Sequence, residues 1–217
     1  MNPIPDFVAE KLAQETWVVP APKRQPSTKA ALLVCFANTY EVGMSNLGFQ
    51  YIWSACLDGM ELGVDRLFLE AETPETPQSF ETRRPLAEHR LSLWSISFEE
   101  DYFHFARMLR DASVPLRASE RGEDELFVLV GGPAVTANPE TLALLCDAIV
   151  IGDGEPFMEE ATPLLEEFAE GRISRREFED ALSEVQGVYL PQRVSSPTLH
   201  ERSVKDQRAP ELIVKRT

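Results

Sequence analysis

The chain has 217 residues, is 43% hydrophobic and carries a formal net charge of -15, which is enough apolar material for one cored domain with appendages. No apolar run approaches the ~18 residues that cross a bilayer, and the acidic N-terminus lacks the basic start and apolar block of a signal peptide. The expected setting is cytoplasmic, with no membrane partner; the excess of acid also argues against nucleic acid binding by this module, since phosphate contacts need Lys and Arg.

Residues 1–30 are polar and proline-bearing, with one short helix expected from Asp6 to Glu15, and read as an arm. Ala31 to Ala37 (ALLVCFA) is continuous in apolar residues, as a strand buried on both faces requires. A loop, Asn38 to Gly43, leads to an amphipathic helix carrying Met44, Leu47, Gly48, Tyr51, Ile52 and Ala55, with Ser45 as the expected N-cap. Asp65 to Ala71 is a weaker second strand. Pro74, Pro77 and Pro85 then make the segment up to Arg90 irregular.

Leu91 to Phe98 is the third strand, followed by a helix with Tyr102, Phe105, Ala106 and Leu109 on one face and acids at its N-terminus. Leu126 to Val130 is the fourth strand and stops at Gly131-Gly132-Pro133; Asn138-Pro139-Glu140 reads as a helix start. Ala148 to Ile151 is the fifth strand and stops at Gly152-Asp153-Gly154-Glu155. The next helix carries Phe157, Ala161, Leu164, Leu165 and Phe168 and closes at Gly171. Ser174 and Glu177 form a capping-box pair ahead of Phe178, Ala181, Leu182 and Val185, a helix stopped by Gly187. Gly187 to Pro191 is a short strand that does not begin another strand–helix unit, and Ile213-Val214 is an isolated apolar scrap. The alternation predicts an α/β, doubly wound, flavodoxin- or Rossmann-like sheet of five parallel strands in the order 2-1-3-4-5.

Glycines at strand ends let a ligand approach the backbone, or merely make tight turns; the sequence leaves both open. Cys35, Cys56 and Cys146 lie far apart in apolar patterns and read as packing residues, with no close cluster for zinc or iron–sulfur. His89, His104 and His200 read as surface or packing residues. From Arg193 onward six Lys or Arg stand against three Asp or Glu, so this tail is +3 and the rest -18. Such a tail is a solvated segment or one that pairs with an acidic surface.

The segments ANTYEVGMSNLGFQ (37–50), PLRASERGEDELFVLVGGP (115–133), NPE (138–140), AIVIGDGE (148–155) and GVYLP (187–191) together resemble the N-terminal cobalamin-binding-like domain of radical SAM proteins. The resemblance spans about residues 31–191 and implies three parts: an arm at 1–30, the cobalamin-binding-like domain at 31–191, and a connector at 192–217 toward a radical SAM barrel. In that family the first loop is DxHxxG, whose His can coordinate cobalt. Here Asn38 stands at the Asp, Tyr40 at the His and Gly43 at the Gly, with Glu41 between. A phenol with a pKa near ~10 is a poor cobalt ligand. Cobalamin, if held, is therefore expected without a protein nitrogen ligand. The resemblance further implies contacts from Ser97, from Gly131, Gly132 and Pro133, and from the acidic glycine loop Gly152, Asp153, Gly154 and Glu155; Ser97 reads equally as a satisfied strand-end hydroxyl.

The cluster motif CxxxCxxC is absent, and no cysteine follows Cys146. The [4Fe-4S] cluster and S-adenosylmethionine are accordingly expected only in a partner radical SAM catalytic domain, in cis or in trans, with this stretch as the front half of a larger protein and inactive alone. The competing readings are an interaction domain of the same fold that has lost the cofactor, favoured by Tyr40, and a flavin or nucleotide enzyme, disfavoured by the absence of GxGxxG and GxxxxGK[ST]. No catalytic residue and no metal ligand is expected from this chain.

Overall fold

Six strands form the central sheet of the computed structural model, which describes residues 7–16, 31–69 and 76–193. The strands are β1 (Ala31–Phe36), β2 (Gly63–Phe68), β3 (Leu91–Ser95), β4 (Phe127–Gly131), β5 (Ala148–Val150) and β6 (Val188–Tyr189). Their order is β2-β1-β3-β4-β5-β6, parallel except for the β5–β6 pair. The five-strand order expected from the sequence is therefore present, with one addition. The short last strand pairs antiparallel to β5, Ile149 opposite Tyr189, so it ends at the edge where the parallel strands begin.

The helices are α1 (Phe7–Gln14), α2 (Tyr40–Ser45), α3 (Leu47–Gly59), α4 (Asp101–Asp111), α5 (Pro133–Ala137), α6 (Gly154–Ala169) and α7 (Arg175–Leu182). Both faces of the sheet are covered, which is why β1 and β4 are apolar without alternation. Leu32, Val34, Phe36, Leu93, Phe127 and Leu129 face α3, α6 and α7. Leu33, Cys35, Trp94, Val128, Val130 and Ile149 face α4 and α5. All three cysteines are buried and free, and burial raises their thiol pKa values; they pack, as their apolar settings indicate.

Several boundaries differ from the sequence reading. The stretch from Asn38 to Gly43 is not wholly a loop, because α2 begins at Tyr40. The helix after it is capped by Asn46, not Ser45: the Asn46 side chain accepts from the Phe49 amide, and Ser45 Oγ donates to the Val42 carbonyl. β2 starts two residues earlier and stops at Phe68, and β3 stops at Ser95. Asn138-Pro139-Glu140 begins only one 3-10 turn, with no side-chain cap from Asn138, since α5 has already started at Pro133. The capping box of Ser174 and Glu177 is present. Ala71, His200 and Ile213-Val214 lie outside the described residues.

The edge strand β2 is closed off by two pieces of chain, as an edge needs. Residues 76–90 lie along it, with the Phe80 amide donating to the Arg66 carbonyl at 2.8 Å. From the arm, Glu15 takes both Nη atoms of Arg66, at 2.6 and 3.0 Å. Glu81 takes Nε at 2.6 Å, and the guanidinium lies 4.1 Å from the Trp53 ring centroid. At 1% exposure this arginine is tolerated because both carboxylates meet it.

Candidate functional site at the strand C-terminal edge

Four loops leave the C-terminal ends of β1, β3, β4 and β5, and hydrogen bonds tie the first three together. Asn38, just past β1, donates through Nδ2 to Asp101 Oδ1 at 3.1 Å while its own Oδ1 accepts from the Thr39 amide. Asp101, the first residue of α4, is fully buried and its Oδ2 accepts the Ser97 and Phe98 amides at 3.1 and 3.0 Å. Ser97 Oγ in turn accepts from Asn46 Nδ2 at 3.1 Å. The loops after β1 and β3 are thus one hydrogen-bonded unit. Ile96 joins it to β4 by donating its amide to the Gly131 carbonyl at 2.9 Å and accepting from the Ala134 amide at 3.3 Å. Thr136 Oγ1 accepts from the Gly152 amide at 3.1 Å, which brings in the loop after β5.

The glycines of this edge differ in what they do. Gly132 has φ +116, and a Cβ there would lie 2.5 Å from the Ile96 carbonyl oxygen; the protein's own backbone fills that direction. A Cβ on Gly131 would meet Val150 at an ordinary 3.6 Å. On Gly43 it would overlap the Phe68 ring, and on Gly154 it would come within 2.8 Å of Ile52 Cδ1. Gly43 and Gly154 therefore let α2 and α6 pack close against β1–β2 and α3. Gly152 has φ +113, the left-handed side that glycine adopts freely. Pro133 is the exposed first residue of α5, and exposed Asp153 and Glu155 open α6, where negative charge suits the helix dipole.

Tyr40 opens α2 and turns toward the arm. Its hydroxyl donates to Glu15 Oε1 at 2.8 Å, and its ring stacks on Phe80 with centroids 5.3 Å apart and 3° between planes. Burial and the carboxylate of Glu15 push its pKa up to about 12. Glu41 pairs with Lys11 of α1 at 2.6 Å, and that lysine holds its carboxyl below the usual range. His104 reaches the same edge from α4, its Nδ1 3.0 Å from the Ala37 carbonyl oxygen. Among the described residues no group of three His, Cys, Asp or Glu is placed to hold a metal ion.

Two residues central to this rim, Asp101 and Asn46, are absent from the sequence-derived set of contacts. Asp101 had the signal of an acid at a helix start, which the helix dipole explains without a link between loops; its tie to Asn38 spans 63 residues and has no local signature. A second polar centre lies at the opposite edge. Asp147, just before β5, accepts Arg121 Nε, Arg175 Nη1 and the Val128 amide at 3.0, 3.0 and 2.7 Å, beside a cavity of about 280 Å³ that Glu179, Gln192 and Arg193 also line. A third, also buried, joins Asp65 to Thr82 and places His89 Nε2 3.6 Å away, under residues 76–90.

Comparison with known protein families finds a match. The sequence model described as radical SAM proteins, N-terminal, matches residues 48–191. No curated protein and no solved structure matches.

Proposed function

We propose that this chain, which belongs to the family of N-terminal regions of radical SAM proteins, is a non-catalytic module that sets a corrinoid or part of a substrate over a radical SAM catalytic domain. The observation that carries this reading is the rim itself: four loops at the C-terminal ends of parallel strands, where doubly wound sheets receive ligands, joined into one bonded frame. That frame contains no nucleophile–base pair and no cluster cysteines. Chemistry would come from the catalytic domain, with its [4Fe-4S] cluster and S-adenosylmethionine, in cis or in trans.

The residues present do not fit cobalt ligation by the protein. Tyr40 occupies the position of the ligating histidine, but its hydroxyl is spent on Glu15 and its pKa near 12 keeps the phenol protonated at neutral pH. A corrinoid would have to be held by shape and by the backbone around Ser97, Gly131 and Gly152. The second reading, an interaction domain that keeps the fold without the cofactor, is favoured by the same Tyr40 geometry and by the filled space beside Gly132. Titration with hydroxocobalamin, followed in the visible spectrum, separates the two. Binding without a nitrogen-ligand signature is the result expected of the first reading, and no binding at high micromolar cobalamin assigns the second. A histidine-ligated spectrum contradicts both.

A further inference from the structure

The C-terminal edge of the sheet has an unusual surface for a phosphate-bearing or otherwise anionic ligand. No Lys or Arg occurs in residues 37–46, 96–104, 132–142 or 151–157. Exposed Glu99, Glu100, Asp153 and Glu155 enter no ion pair among the described residues, whereas Glu41 is met by Lys11 of α1. Amid these acids stand three large apolar side chains: Leu47 is 83% exposed, Phe98 57% and Phe103 78%. They stand on a hydrogen-bonded base. Leu47 and Phe98 directly follow Asn46 and Ser97, which bond to each other, and Phe103 is in the first turn of α4, whose opening residue Asp101 carries the Asn38 and Ser97 contacts.

We propose that this edge is a protein-docking surface, with Leu47, Phe98 and Phe103 as its apolar centre and Glu99, Glu100, Asp153 and Glu155 as its acidic rim, and that its occupant is the radical SAM catalytic domain, through a lysine- and arginine-rich face. The identity of the occupant rests on the function proposed above. An apolar centre with a charged rim is the ordinary anatomy of an interface, and an acidic rim with no cationic neighbour among the described residues selects a basic partner and steers its approach. A second copy of this chain would bring like charge against like charge. The tether permits the arrangement: β6 carries the chain to the opposite edge at Arg193, and residues 194–217 could span up to ~80 Å, several times the ~20 Å height of a six-residue strand. Rim and apolar centre, not a phosphate cradle, are what the catalytic domain would cover.

The test is zero-length cross-linking of the full-length native protein with a carbodiimide, which joins carboxylates to adjacent lysine amines, followed by peptide mapping. Links from Glu99, Glu100, Asp153 or Glu155 to lysines of a radical SAM domain are expected. Links to that domain only from carboxylates elsewhere, such as Glu159 or Glu160 on the exposed side of α6, would overturn the surface and leave the proposed function standing. Links from the edge only to a second copy or to an unrelated protein would overturn the assigned occupant. Absence of any link to a radical SAM domain would overturn both. In a complementary measurement the catalytic domain is produced separately and its affinity for this chain is read as a function of salt. E99K/E100K should raise the Kd at least about tenfold and flatten its salt dependence, and Phe103→Ser should weaken binding comparably. The controls E159K/E160K and Leu144→Ser should leave it unchanged; equal losses from controls and edge variants would defeat the proposal.

Discussion

At Gly132 the chain combines a left-handed φ with a backbone contact that leaves no room for a side chain. Gly132→Ala should therefore cost ~1–3 kcal/mol of stability from strain at that conformation, and more if the Ile96 carbonyl must move. Gly131→Ala, next to it, meets only ordinary contact and should be neutral or stabilising by up to ~1 kcal/mol. Urea denaturation of the two variants checks the contrast, and equal effects would refute the distinction between them. Asp101→Ala removes the acceptor of the part-buried Ser97 and Phe98 amides, which water can partly replace, so a loss of ~1 kcal/mol for each bond is expected. The same denaturation series reads it.

Tyr40 gives a pH signature. Its pKa is raised from an ordinary ~10 to about 12, so the folded state favours the protonated phenol. The stabilisation is fully present below pH ~10 and lost as pH rises through about 12. Wild-type protein should lose stability across that alkaline window more steeply than Tyr40→Phe; parallel stability–pH curves would show that the Glu15 contact contributes nothing.

Among the elements, the arm is the least expected contributor. Its helix α1 was visible from sequence, yet its attachment was not: Glu15 supplies two of the bonds to buried Arg66, 51 residues away, and one to Tyr40. Glu15→Ala strips a buried guanidinium of one of its two carboxylates, for which a loss on the order of 3 kcal/mol is expected. A thermal melt shifted by no more than that of a surface variant such as Glu159→Ala would contradict this account of the arm.

The strands and most helices were legible because their apolar patterns are local and unbroken, and the order 2-1-3-4-5 follows from alternation. The misreadings also have local causes. Ser45 and Asn46 are both good caps, and only the Phe49 amide decides between them. Asn138-Pro139 has the form of a helix start, but Gly132-Pro133 uses the chain first. The rim was half legible: the glycine loops after β4 and β5 stand out by type and Asn38 and Ser97 enter through the family resemblance, whereas Asp101 and Asn46 acquire their roles only when β1 and β3 lie side by side.

For the whole molecule, charge and topology point the same way. The sheet sends four cation-free loops to one edge and returns its last strand, with Arg193, to the other. The edge that would face a catalytic domain thus bears apolar and acidic groups but none of the residues that build a radical-generating centre. The three cysteines are buried in separate places, with thiols that burial holds protonated. The central claim, that this polypeptide contributes placement and not turnover, is tested most directly by anaerobic iron–sulfur reconstitution followed by reduction in the presence of S-adenosylmethionine, with release of methionine as the readout. The expected result is no bound cluster and no methionine above the protein-free control; a stoichiometric cluster with reductive cleavage by this chain alone would contradict it.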